Sequence, residues 1–122
     1  MDKVNINDKF QLFTDHWTPK IIGELNGQQL KLAKVKGEFV WHDHAEEDEL
    51  FLVYKGTLCL DFRDGSTVEL KPGEFYIVPK AVEHRPWTKG DDEVWLMLIE
   101  PAGTKHTGEV VDEKTVETCE WI

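Results

Sequence analysis

No stretch of this chain sustains a helical pattern. Short runs rich in β-branched, aromatic and leucine residues recur about every ten residues, separated by Gly, Pro and Asp-Gly signals. Strands are expected at 29–36, 38–44, 49–54, 57–62, 66–71, 75–78, 83–88 and 94–100. The punctuation between them includes Lys55-Gly56, Asp64-Gly65, Pro72-Gly73, Pro79 and Gly90-Asp91. Short strands at this spacing indicate an all-β sandwich or barrel. Asp64-Gly65, between LDF and TVEL, is the strongest local hairpin signal. The flanks read differently. Residues 1–27 form an N-terminal arm with a strand expected at 20–25, residues 28–101 a barrel core, and residues 102–122 a polar tail with one short strand near 109–112.

At 122 residues the chain has enough length for one domain with its own core, but not for two. A net charge of −10 argues against nucleic acid, whose phosphates must be met by surplus Lys and Arg. No apolar run approaches the roughly 20 residues of a membrane helix, and MDKVNINDKF lacks the apolar stretch of a secretion signal. Cys59 and Cys119 are too few and too far apart for a disulfide framework, so a reduced, cytoplasmic setting is expected.

Chemistry concentrates in FVWHDHAEEDELFLVYKG. Successive residues of a strand point to opposite faces, so His42 and His44 share one face, and Glu49 shares one with Phe51 and Val53. Glu46, Glu47 and Asp48 fall in the connecting turn, where a solvated acidic loop accounts for them. A third imidazole, His84, opens a later strand in EFYIVPKAVEHRPW. Three imidazoles and one carboxylate reaching into one barrel suit a single divalent transition metal such as Zn, Fe, Ni or Mn. The same parity turns Val40, Phe51, Val53, Pro86 and Thr88 inward as pocket lining. It places Arg85 outside, and leaves the facing of Cys59 open and His106 as a loop residue.

The spacing resembles the two motifs of the cupin family. The first appears as Gly37, His42-Asp43-His44, four residues, Glu49, six residues and Gly56; the second as Gly73, five residues, Pro79-Lys80-Ala81, two residues, His84, three residues and Thr88. Four residues rather than five separate Gly37 from His42, Ala81 stands in place of a glycine, and Thr88 in place of an asparagine. None of these departures touches a ligand position. The resemblance implies a single-domain cupin jelly-roll β-barrel, with His42, His44, Glu49 and His84 as metal ligands. The short chain and the tight gap between the motifs resemble the small single-domain cupins often labelled mannose-6-phosphate isomerase-like.

Two functions follow from that resemblance: a small-molecule metalloenzyme, oxygenase-like or isomerase-like, or a non-catalytic module that binds or senses a small ligand. No general base beyond the ligands is evident, and no group of Lys or Arg falls inside the expected barrel, so sugar-phosphate isomerisation is not supported. Leu50, Leu52 and Tyr54 alternate with the inward residues yet are also apolar, so the outer face needs a cover. Ile21, Ile22 and Leu25 of the arm, or a second subunit in a homodimer, are expected to supply it.

Overall fold

The computed structural model describes residues 2–104, 108 and 118–122. One short helix, α1 (Ile6–Phe10), precedes nine strands: β1 (Lys20–Leu25), β2 (Gln28–Val35), β3 (Glu49–Lys55), β4 (Leu58–Phe62), β5 (Thr67–Leu70), β6 (Phe75–Val78), β7 (His84–Trp87), β8 (Val94–Pro101) and β9 (Glu120–Trp121). They form a six-stranded sheet in the order β6-β3-β8-β2-β1-β9 and a three-stranded sheet in the order β5-β4-β7. Pairing is antiparallel except between β1 and β9. The architecture is all-β. No helix among the described residues is long and apolar enough to cross a membrane.

Period-two alternation explains why strands of the large sheet are apolar on both faces. Along β8, Leu96 and Leu98 point between the sheets, where they meet Ala33, Val35, Phe51, Val53, Leu58 and Leu60. Met97 points the other way, into a second cluster with Phe10, Phe13, Ile22 and Leu32, against which Leu52 and Ile99 pack. The arm therefore covers the outer face within the chain, but not with the residues expected. Phe10 and Phe13 do most of it. Of the three expected residues Ile22 joins that cluster, whereas Leu25 is 65% exposed. Asn5 starts α1 by accepting a hydrogen bond from the Asp8 amide at 3.0 Å, a cap that lets so short a helix form in an otherwise β-rich chain.

The Asp64-Gly65 hairpin is present between β4 and β5, closed by the Phe62 amide donating to the Ser66 carbonyl at 2.9 Å. Two elements differ from expectation. The 38–44 segment is not a regular strand; it touches β7 only through isolated bridges, Glu38 to Trp87 and His42 to His84. The two-residue β9 was not anticipated, while the strand expected near 109–112 and His106 lie outside the described residues.

The irregularity at 38–44 has a definite form. Antiparallel partners keep a constant sum of residue numbers, and the two bridges differ by one, so the segment holds one extra residue between Glu38 and His42. Parity slips there. Phe39 is buried at 6% exposure and faces the cavity, while Val40 is only half-buried.

Candidate metal centre

Four side chains from three places in the chain converge between the sheets. His42 and His44 come from the bulged segment, Glu49 from the first position of β3, and His84 from the first position of β7. All four are buried, with exposures of 2%, 4%, 2% and 0%. One donor atom from each lies within 4.8 Å of the others. The backbone fixes this approach: the His42 and His84 amides each donate to the other's carbonyl, at 3.0 and 2.9 Å, and the Ala81 amide donates to the His44 carbonyl at 2.7 Å.

The imidazoles are oriented as well as placed. His42 Nδ1 lies 2.9 Å from the Val40 carbonyl oxygen and His84 Nδ1 lies 2.9 Å from that of Val82. A carbonyl only accepts, so Nδ1 carries the proton in each ring and Nε2 presents its lone pair to the centre. Carbonyl-anchored rings of this kind are the usual support of metal-ligating histidines. The Nε2 atoms of all three histidines and Glu49 Oε1 are buried without hydrogen-bond partners. Glu49 Oε1 stands 3.4 Å from His44 Nε2 and 3.6 Å from His84 Nε2, long for hydrogen bonds. Four orphaned donors aimed at one point are costly unless something occupies that point. The cluster fits a divalent transition metal.

Electrostatics agree with that reading. Burial, helped by the neighbouring charge of His84, lowers the His42 pKa to about 4 and keeps the ring neutral. Burial also lowers that of His44, but the adjacent Glu49, with the charges of Glu47 and Asp43, raises it overall. Burial alone would raise the pKa of Glu49; contacts with His44, His84 and Glu100 hold it well below the ordinary carboxylate range. Glu49 is therefore an anion inside the protein.

Behind Glu49 stands a pair with no counterpart in the sequence reading. Glu100 is fully buried and Lys31 is 2% exposed, their charged atoms 3.0 Å apart, with Lys31 Nζ also donating to the Thr104 carbonyl at 3.3 Å. Leu50 of β3 pairs with Ile99 of β8, so the register brings Glu100 opposite Glu49. Burial, then the charge of Glu49 and hydrogen bonding to it, push the Glu100 pKa well up, against the pull of Lys31. The only sequence signal was an acid ending the apolar run VWLMLIE, which reads as a strand end.

A cavity opens beside the cluster, lined by His42 and Glu49 together with Trp17, Pro19, Phe39, Phe51, Pro86 and apolar residues of β2, β4 and β8. Of the pocket residues expected from parity, Phe51 and Pro86 line it. Val53 is packed in the core, and Val40 lies off the cavity because of the bulge. Thr88 is buried against Gly37 instead: its Oγ1 accepts from the Gly37 amide at 2.7 Å and its own amide donates to the Gly37 carbonyl at 3.0 Å.

Arg85 points away from the centre, 2.9 Å from Asp61 on the outer face of the small sheet, and the Trp87 indole donates to the same carboxylate at 2.8 Å. Cys59 shares that outer face with Trp87, its Cα partner across the ladder. Burial, with Glu69 beside it, raises the Cys59 pKa, which makes it a poor nucleophile.

Residues 30–100 match the Cupin domain family. A crystal structure of a cupin-2 domain containing protein from Shewanella frigidimarina is 52% identical, covering 80% of this chain and 93% of that one, with a TM-score of 0.77. Protein NMB1881 from Neisseria meningitidis is 32% identical, covering 83% of this chain and 100% of that one, with a TM-score of 0.74. The Bacillus subtilis protein YdbB is 42% identical over 64 residues, which are 52% of this chain and 57% of that relative's length.

Proposed function

The chain belongs to the cupin family, and from that premise we propose that it is a metal-dependent enzyme acting on a small molecule, with its two sheets as the halves of a jelly-roll barrel. His42, His44 and His84 through Nε2, and Glu49 through Oε1, would hold one divalent transition ion. The observation that carries this reading is the convergence of four buried, unpartnered donor atoms within 4.8 Å. Such an ion supplies Lewis acidity and a template for substrate. The chain's own residues orient the donors, exclude water with apolar walls and keep Glu49 ionised.

Oxygenase-like chemistry is favoured over isomerisation. Isomerisation by proton transfer between carbons needs a positioned base. Among the described residues lining the cavity, only His42 and Glu49 carry an acid or base, and none is a Lys or Arg that could meet a phosphate. The same lack of a base supports a second reading, a non-catalytic module that binds or senses a small ligand. We also assign the chain to the cytoplasm, on its two unpaired cysteines, and to a homodimer, on the apolar surface left after the arm has docked.

Elemental analysis of protein purified without added metal tests the proposal. About one ion per chain is expected, iron pointing to oxygen chemistry and zinc or nickel to isomerase or hydrolytic work. Protein that stays metal-free and takes up none of these ions on dialysis would sink it.

A further inference from the structure

We infer that Trp17 and Phe39 form a movable aromatic wall that selects an apolar ligand carrying one metal-binding polar head, an inference that rests on the metal reading above. The two rings stack with centroids 4.5 Å apart and planes 12° from parallel, and both line the cavity beside His42. Phe39 also meets the His42 ring edge-on at 5.4 Å. What occupies the space next to the cluster therefore touches this pair.

Trp17 is held there against its own backbone preference. Its φ is +58°, a left-handed conformation that bulky residues rarely adopt and that tends to mark functional positions. Three contacts impose it. The Trp17 amide donates to the Lys34 carbonyl at 2.9 Å, the indole Nε1–H donates to the Lys36 carbonyl at 2.9 Å, and the ring stacks on Phe39. The indole bond is solvent-exposed, so water can replace it if the ring swings outward.

A ring seated wholly beside the cluster needs such movement. The cavity holds about 30 Å³, room for one water, whereas a dry cavity that admits a benzene ring measures about 150 Å³. Most of the remaining wall is fixed in the sheets: Ala33, Val35, Leu58, Leu96 and Leu98 lie within paired strands. Trp17 and Phe39 lie outside the regular strands, and although the Phe39 amide donates to the Pro86 carbonyl at 2.9 Å, their rings are the bulkiest part of the wall that can turn without breaking a strand pair. The chemistry of the lining then sets the ligand class. A hydroxyl, carbonyl or carboxylate can face the cluster while the rest of the molecule meets apolar surface.

Two hydroxamates of different body test this on cobalt(II)-loaded protein, read by visible absorption of the ion. Both present the same metal-binding head, acetohydroxamate with a methyl group and benzohydroxamate with a ring. Native protein is expected to bind benzohydroxamate at least tenfold more tightly. In Trp17→Ala and in Phe39→Leu, which keeps an apolar side chain near the native volume, the preference should fall below threefold, with benzohydroxamate losing more affinity than acetohydroxamate. Trp17→Phe should retain most of it. Equal binding of the two by native protein, or an intact preference in both Trp17→Ala and Phe39→Leu, would overturn the inference and leave the metal reading standing. Absence of any cobalt absorption would overturn the metal reading and this inference with it.

Discussion

Glu49 concentrates the consequences of this arrangement in one side chain. It is the cluster's only anion, and Glu100 and Lys31 stand behind it in a row that runs across three strands. Glu49→Gln keeps the shape but removes the charge, so metal affinity should fall at least tenfold by isothermal titration, the loss typical at supported ligand positions. Glu47→Gln, in the acidic loop, should change it little; equal losses at both positions would mean that the wrong carboxylate has been assigned. Glu100→Met, which removes the hydrogen bond to Glu49, should also cost about tenfold, with Glu100→Gln recovering most of it because an amide can still donate. Native affinity in Glu100→Met would show that Glu100 only fills space. The metal-free protein carries a pH signature of its own. His42 has a pKa of about 4 folded against 6.5 unfolded, so between these values the unfolded chain binds the extra proton. For this group stability is full above pH 6.5 and is lost as pH falls toward 4, by up to about 3 kcal/mol, with the raised pKa values of His44 and Glu100 working in the opposite direction. Thermal unfolding in chelator from pH 7 to pH 4, native against His42→Gln, checks the sign; a native protein that lost no more stability on acidification than the variant would contradict it. The four donors were legible because motif spacing and strand parity bear directly on them. Glu100, Lys31 and Trp17 were not, because their roles arise from strands and an arm brought together only in the folded chain.

At the scale of elements, pattern sufficed wherever both ends of a strand were punctuated. The runs at 20–25 and 75–78 coincide with β1 and β6, and Asp64-Gly65 turned where expected. The 38–44 segment was misread because alternation alone cannot register an inserted residue. The extra residue forms a bulge that turns Phe39 inward, and it shows only in the paired structure. α1 went unseen because a five-residue helix has too few positions to show a period. The Pro79-Lys80-Ala81 turn, whose Ala81 amide holds the His44 carbonyl, carries a visible cost. Ala81 sits at φ +65°, where a glycine would be relaxed. Relief of about 1–2 kcal/mol from the left-handed conformation should outweigh the roughly 0.4–1 kcal/mol that glycine adds in unfolded-state entropy. Ala81→Gly is thus expected to raise the melting temperature by a few degrees with metal content unchanged. A lower melting temperature would mean that the alanine methyl contributes packing at that turn.

For the molecule as a whole, the arm joins the outer cover and the site. Phe10 and Phe13 seal the back of the large sheet, Lys34 Nζ donates to the Phe13 carbonyl at 2.7 Å, and Trp17 and Pro19 reach the cavity. Removing residues 1–26 would uncover Leu32, Met97 and Leu52 and strip β2 of its β1 partner. The expected result is a strongly destabilised, aggregating protein that loses its metal as a consequence. A truncated chain that stayed soluble, folded and metal-loaded would show that the arm is dispensable. Even with the arm in place, Tyr54, Phe75 and Ile77 are 43%, 59% and 49% exposed. Phe75 and Ile77 lie on β6, an edge of the large sheet, and pair with the half-buried Leu52 and Leu50 of β3, so the exposed apolar surface sits at that edge. An apolar sheet edge of this kind is a template for self-association, which a closed dimer satisfies and an open chain of contacts does not. Light scattering at micromolar concentration is expected to give twice the 14.1 kDa chain mass, and Ile77→Lys to return it to one. A native mass of a single chain would end the dimer proposal. A dimer unaffected by Ile77→Lys would move the contact away from β6.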